Sequence, residues 1–415
     1  MNTLKLRASY GVLGNQTTNS YYPTYRIINL YNQNGNHLQD HKKPNTAQVG
    51  NLISSDLTWE TVRTANLALD WGMFKNRFQG SVEVFRRKTQ DMVGPALQMP
   101  EVLGPNPPSS NNCDLRTDGW ELNFSWKDRT RFGLGYGISA NISDAIGTIL
   151  SYPGNTTHSI NTYMEGKRVG DIWGFTTVGI AKSDAEMQAH LAKNDQSSIG
   201  SQWGEGDIMY KDINGDGVVN KGESTWESHG DLSVIGNSTP RYHFGINLTA
   251  DYKGFDFRIF FQGVAKHDLW TDSAQYWGCP GYIWNMCGYG EHNDYYRANP
   301  AGVAGYEIPA NKDSWYPRPV VNSTKNQQVQ TRYLLDASYM RIKNLQVGYS
   351  IPRRLLQKIG CSNARVYFSV DNLATITRLS TTLDPETITG GHGGSMQGNA
   401  YPLTSTKSFG LSITF

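Results

Sequence analysis

The sequence predicts an all-β fold, the wall of an antiparallel transmembrane β-barrel, and three observations predict it. Ten segments alternate apolar and polar residues with period two. The joints between them alternate strictly between tight turns and long connections. The composition, with 43 Gly, 23 Tyr and 11 Trp in 415 residues, suits a β-rich chain heavy in interfacial aromatics. No apolar run reaches the roughly 18 residues a membrane-spanning helix needs. A transmembrane strand needs only about 10 residues with every second one apolar.

The first segment sets Leu4, Leu6, Ala8, Tyr10 and Val12 against Lys5, Arg7, Ser9 and Gly11. The second runs from Leu67 through Leu69, Trp71 and Met73, and the third carries Phe78, Val82 and Val84. Trp120, Leu122, Phe124 and Trp126 alternate with Glu121, Asn123 and Ser125 in the fourth; the fifth sets Phe132, Leu134, Tyr136 and Ile138 against glycines. Tyr242, Phe244, Ile246 and Leu248 form the sixth. The seventh has Phe255, Phe257, Ile259 and Phe261, with Phe260 an apolar exception on the polar side. The last three span 339–350, where Leu345, Val347 and Tyr349 are regular and Ile342 is out of phase, then 364–372 and 405–415.

Joints at Lys75–Arg77, Asp128–Thr130 and Lys253–Gly254 are tight and 351–363 is short, whereas 13–59, 94–116, 144–240, 268–337 and 374–404 are long. Short periplasmic turns opposite long extracellular loops characterise a membrane barrel, whose apolar face meets lipid and whose other face lines a polar lumen. A soluble sandwich has no reason to sort its loops in this way.

Lys and Arg number 38 against 36 Asp and Glu, which argues against a general nucleic-acid binder. Four cysteines in so long a chain are no disulfide scaffold. Residues 1–20 alternate from the start without the apolar stretch of a signal peptide, so the expectation is a cytoplasmic protein or a piece of a longer one. The chain ends in SFGLSITF, and its terminal Phe415 resembles the signal read by outer-membrane barrel-assembly machinery.

Several ordered stretches, LKLRASYGVLGNQ (4–16), the long run 57–93, TDGWELNFSW (117–126), GDIMYKDINGDGVVN (206–220) and SYMRIKNLQVGYSIP (338–352), resemble SusC/RagA-type TonB-dependent outer-membrane transporters. That resemblance implies a carboxy-terminal part of a 22-stranded barrel, open here, with about twelve strands and a plug domain missing. It also implies localisation in the cell outer membrane, contact with outer-membrane lipid, and import of an oligosaccharide or oligopeptide. A SusD-like surface lipoprotein would cap the barrel, and the TonB–ExbB–ExbD complex would act through the missing amino-terminal part.

Asp212, Asn214, Asp216, Val218, Asn220 and Glu223 fall at the ligand positions of a twelve-residue calcium loop, with Gly217 at its sharp turn. The flanks do not read as helices, so the expectation is an isolated, structural calcium loop within the 144–240 connection. The alternative is an Asn/Asp/Gly-rich turn without metal. The 268–337 connection is rich in aromatics, among them Trp270, Trp277, Tyr282, Trp284, Tyr289 and Trp315. They form the loop's own core, receive a protein lid, or stack on substrate. In the same loop Cys279 and Cys287 are either a disulfide or two thiols; Cys113 and Cys361 fall at opposite ends of the barrel. DAEMQAHLAK (184–193) reads as a short helix capped by Asp184.

Nothing in the sequence assembles a catalytic site. There is no HExxH, GxSxG or Walker A pattern, and GGHGGS (390–395) lacks the strand-to-helix context of a phosphate cradle. Two rivals stay open: a complete small-barrel protease or lipase, and a secreted calcium-dependent glycan-binding β protein.

Overall fold

The computed structural model describes residues 1–16, 25–50, 52–54, 57–94, 108–271, 273–278, 288–321, 323–357, 360–381, 383–388 and 403–415. Ten wall strands run in chain order: β1 (Thr3–Asn15), β2 (Glu60–Met73), β3 (Phe78–Gly94), β4 (Ser110–Arg129), β5 (Gly135–Ser151), β6 (Arg241–Tyr252), β7 (Phe255–Lys266), β8 (Tyr339–Ser350), β9 (Asn363–Thr377) and β10 (Thr406–Thr414). Each pairs antiparallel with the next, so the described residues form one ten-stranded meander. No ladder joins β1 to β10, and the sheet is open as the sequence predicts. No helix among the described residues is long and apolar enough to cross a membrane.

The register puts the predicted apolar sets on one face. Leu6, Leu69, Val82, Leu122, Ile142 and Phe244 stand in line across β1 to β6. One step along, Ile138, Leu248, Ile259, Leu345 and Val370 continue the face through β9. On a single sheet most of these side chains stay half-buried or exposed, Val370 being the buried exception. Leu6 is 70% exposed and Phe409 88%, an exposure that only lipid would make favourable.

Two irregularities in the sequence resolve in the pairing. The register shifts on both sides of β8 at Lys343, where β7 steps from Asn344 to Ile342 between Phe260 and Phe261. This β-bulge inserts one residue and returns Ile342 to the apolar face. Phe260 pairs with Asn247 and Asn344 and belongs to the polar face.

Several boundaries differ from the sequence reading. Phe132 and Leu134 do not open the fifth strand; they lie in the turn between β4 and β5. The Thr130 N–H donates to the Leu134 carbonyl at 2.8 Å, closing the turn through Gly133 at φ +94°. Phe132 instead packs edge-on against Tyr252. At the other end β3 stops at Gly94, where the sequence places it, but β4 and β5 reach well past the expected limits, back to Ser110 and on to Ser151, so the connection after β5 begins near residue 152. The Lys253–Gly254 joint is a two-residue hairpin with both residues at positive φ, the turn whose twist matches the strands it connects.

The largest hydrophobic core among the described residues lies outside the wall. It is built from three long connections: Phe175, Ile208, Tyr210 and Leu232 from the first, Leu269, Tyr276, Trp277, Tyr316 and Tyr333 from the second, Leu379 and Leu383 from the third. Short ribbons position them, Asp171–Gly174 with Ser233–Asn237 and Thr177–Ile180 with Ile208–Tyr210. Helix α1 (Asp184–Leu191) packs Met187 beneath it. Its N-cap is Ser183, not Asp184, since the Ser183 hydroxyl accepts from the Glu186 N–H.

Leu122→Arg, in the middle of the apolar face, is expected to cost about 2–4 kcal/mol in a bilayer, whereas Asn123→Arg on the opposite face should cost well under half of that. Urea titration of both variants in lipid vesicles measures the difference.

Candidate functional site: the lumenal wall and the extracellular cap

The face opposite the apolar one is mainly polar, with Ala68, Phe85 and Phe260 among its apolar exceptions. Asp70, Ser81, Asn123, Asn141, Asn247 and Arg258 line an open groove of about 740 Å³ across β2 to β7, with Phe260 as its main ring. Charges on this face are tied to one another. Arg7 donates to Asp70 from two nitrogens at 2.8 and 2.9 Å, and Arg258 donates to Asn247 at 2.9 Å. Toward the short-turn end, Arg365 holds Asp256 at 2.9 and 2.5 Å. Such a surface binds polar solutes or a polar protein plug, and Glu121 and Asn123 stand on it as predicted.

Above this groove the long connections join into one cap, and a buried carboxylate joins them. Asp207 is fully buried, and its oxygens accept from Arg318 at 2.7 and 2.6 Å, from Lys325 Nζ at 2.8 Å, from Asn326 at 2.9 Å and from the Gly204 N–H at 2.9 Å. Burial pushes its carboxyl upward, but hydrogen bonds from Arg318, Asn326 and Lys325 outweigh burial and hold it below the usual aspartate range. Backbone bonds run alongside: Phe175 N–H to the Val329 carbonyl at 2.8 Å and Thr331 N–H to the Phe175 carbonyl at 3.0 Å. The third connection docks through Arg341 on Asp384 at 2.8 Å and Lys343 on Glu386 at 2.7 Å. Lys343 is the bulge residue of β8, so the bulge also supplies an anchor for the cap.

The predicted aromatic residues divide. Trp277 is a core residue, 4.8 Å from Tyr333 between ring centres, and Trp270 packs against the same core. Tyr289 and Trp315 are 44% and 42% exposed. Tyr289 lines a pocket of about 240 Å³ with His292, Tyr295, Tyr316 and Arg318, and Trp315 donates to the Tyr276 hydroxyl at 3.3 Å. Burial lifts that Tyr276 hydroxyl to about 12, so it stays a neutral hydrogen-bonding group. His292 and Arg318 carry no sequence signal of their own; the pocket's described lining comes from the 268–337 connection, and two of its members, Arg318 and Asn326, also hold Asp207. Tyr282, Trp284, Cys279 and Cys287 lie outside the described residues. Cys113 and Cys361 are both buried and are not joined to each other.

The calcium-type loop is tightly wound. The Asp212 carboxylate accepts from Gly215 N–H at 2.7 Å and Gly217 N–H at 2.8 Å, the second made possible by Gly217 at φ +84°. Asn214 accepts from Asp216 N–H at 2.9 Å, Asp216 from Val218 N–H at 2.8 Å and Asn220 from Gly222 N–H at 2.7 Å. The Gly217 N–H above all keeps the Asp212 carboxyl below its usual range. Asp231 lies outside the twelve-residue pattern. Fully buried, it accepts from Ile213 and Asn220 N–H at 2.6 and 2.9 Å, clamping both ends of the loop. Among the described residues no three Asp, Glu, His or Cys side chains gather as a metal cluster.

The family model for the TonB-dependent receptor-like β-barrel matches residues 1–373. The chain belongs to that family. TonB-dependent receptor P3 of Formosa agariphila is 26% identical over 387 residues, covering 90% of this chain and 35% of the relative. TonB-dependent receptor SusC of Bacteroides thetaiotaomicron is 23% identical over 434 residues, covering all of this chain and 38% of the relative. Among solved structures, the RagAB peptide transporter superposes with a TM-score of 0.70 at 20% identity, over 99% of this chain and 41% of that one. The wall is therefore part of an outer-membrane β-barrel, and the chain spans well under half the length of the relatives it matches.

Asp207→Ala would leave Arg318 and Lys325 uncompensated, a loss of about 3–5 kcal/mol for a buried pair. Limited proteolysis of the cap should be at least about a hundredfold faster in this variant. Because the folded carboxyl is depressed, its contribution is complete above the unfolded aspartate value of about 3.9 and is lost only as pH falls below it. Protease protection of the unsubstituted cap is expected to hold at pH 5 and to weaken progressively as pH falls below about 4.

Proposed function

We propose that this chain supplies the lipid-facing wall, part of the lumen and the extracellular cap of a TonB-dependent importer for a large polar nutrient, an oligosaccharide or an oligopeptide. The observation that carries the reading is the two-faced wall: an unbroken apolar face outside, and inside a polar groove of about 740 Å³ roofed by a folded cap. Its sugar- or peptide-sized pocket beside Tyr289, His292 and Tyr295 opens near the exposed Trp315. Flat rings with polar tips suit both nutrient classes. A SusD-like lipoprotein covers the cap from outside, and the TonB–ExbB–ExbD complex drives the cycle through a plug that these residues do not supply. The role is transport and not catalysis. Relatives named as TonB-dependent receptors and a peptide transporter of the same fold support it.

Deleting the gene in its host should abolish growth on the cognate nutrient, tested with oligosaccharide and oligopeptide mixtures as sole sources, and deleting tonB should give the same loss. Unchanged growth on both mixtures, or uptake that survives loss of TonB, would remove the proposal.

We further propose that the 212–223 loop binds calcium. Its hard oxygens sit at the required spacing, its first half is already wound around Asp212, and Asp231 fixes its ends. Binding would bring Glu223 and Asp216 in to complete the ligand set. Chelation should speed proteolysis near residue 220, and Asp212→Ala plus Asp216→Ala should abolish both the calcium heat of binding in calorimetry and the effect of chelator.

A further inference from the structure

Beyond the apolar band on the outward face, β2, β3 and β4 carry a row of cations. Arg63, Lys88 and Arg116 are direct cross-strand partners, Arg63 opposite Lys88 and Lys88 opposite Arg116. One step nearer the band, Arg86 faces Asp118. The last apolar row below is Leu67, Val84 and Trp120. Like charges placed directly opposite destabilise a sheet unless an anion lies between them. Asp118 meets Arg86 at 2.5 Å and Arg116 at 3.0 Å, which leaves Arg63 and Lys88 without an ion pair among the described residues. Both are exposed.

The height of this row is fixed by strand geometry. Four residues separate Val84 from Lys88, about 13 Å along the strand at 3.3 Å each. With the strand tilted about 40°, Lys88 stands about 10 Å outside the end of the band, on the side of the long connections. The headgroup layer beyond the hydrocarbon is about 5–8 Å thick, and long basic side chains reach back toward it.

We propose that Arg63, Lys88 and Arg116, with Arg86, form a site for a phosphate-bearing lipid headgroup of the outward leaflet. The phosphate supplies the anion the row lacks, and Leu67, Val84 and Trp120 receive the top of its acyl chains. The lipid thus fixes the depth and rotation of the β2–β4 wall beneath the cap.

The protein, purified in the form in which it is made in its outer membrane and stripped of lipid by detergent exchange, is offered lipid A or dephosphorylated lipid A in mixed micelles. Retained lipid is counted by native mass spectrometry. The unsubstituted protein should retain the phosphorylated form at least about tenfold better than R63Q/K88Q/R116Q, in line with the attraction per basic residue near an anionic surface. The single variant K88Q should fall between them, and R353Q/R354Q, at the short-turn end, should behave as unsubstituted protein. Millimolar inorganic phosphate should not displace the lipid. Equal retention by the triple variant, equal retention of dephosphorylated lipid, a loss matched by R353Q/R354Q, or displacement by inorganic phosphate would each overturn the proposal. Failed uptake of nutrient would leave this site untouched, because its readout is lipid retention alone.

Discussion

Within a bilayer no water is at hand to satisfy a backbone N–H or C=O, so every strand of the wall must find its hydrogen bonds in the next strand. This constraint explains the uninterrupted antiparallel register from β1 to β10. It also explains why the irregularities are small. One extra residue at Lys343 is absorbed as a bulge, and pairing resumes on either side. Because lipid replaces a second sheet, the wall has no interior of its own; its apolar side chains remain outward and its polar ones face the lumen.

A chain that spends its apolar face on lipid must build its hydrophobic core elsewhere, and here it builds it from loops. Rings of Phe175, Tyr210, Tyr276, Trp277, Tyr316 and Tyr333 come from segments that are far apart in sequence. They are held together by the buried Asp207, whose partners Arg318 and Lys325 belong to another connection. A buried ion network is a poor source of net stability compared with an apolar substitute, but it admits only one way of joining the segments. For a cap that stands over a lumen, a single arrangement is worth more than added stability. Arg318 also lines the pocket at Tyr289 and His292.

The wall was legible in the sequence because its signal is local. Period-two alternation found all ten strands, and the alternation of short and long joints found their direction. The start of β4 and the end of β5 were not legible, for a physical reason. Apolar alternation reports where lipid stops, at Val84 and Trp120, whereas the hydrogen-bonded ladder continues through Arg86, Lys88 and Arg116. Phe132 and Leu134 keep the apolar period into a turn, so the pattern alone could not place the start of β5. The cap was hidden for the opposite reason. Asp207 meets Arg318 across 111 residues, and no spacing rule links them. The wound half of the calcium-type loop followed its motif, while Asp231, which clamps it, lies eight residues past Glu223 and outside any pattern.

The connections after β5 and β7 fold as one unit above a wall whose apolar face is turned to lipid. Hydrogen–deuterium exchange of the membrane-embedded protein tests this most directly, read at the amides of Phe175 and Thr331, which bond each other's segments, and of Arg318, which donates to Gly206 at 2.9 Å. These amides should exchange with one common opening rate, and Asp207→Asn should raise all three together while leaving β3–β5 protected. Amides that open connection by connection, each at its own rate and unmoved by the Asp207 change, would contradict it.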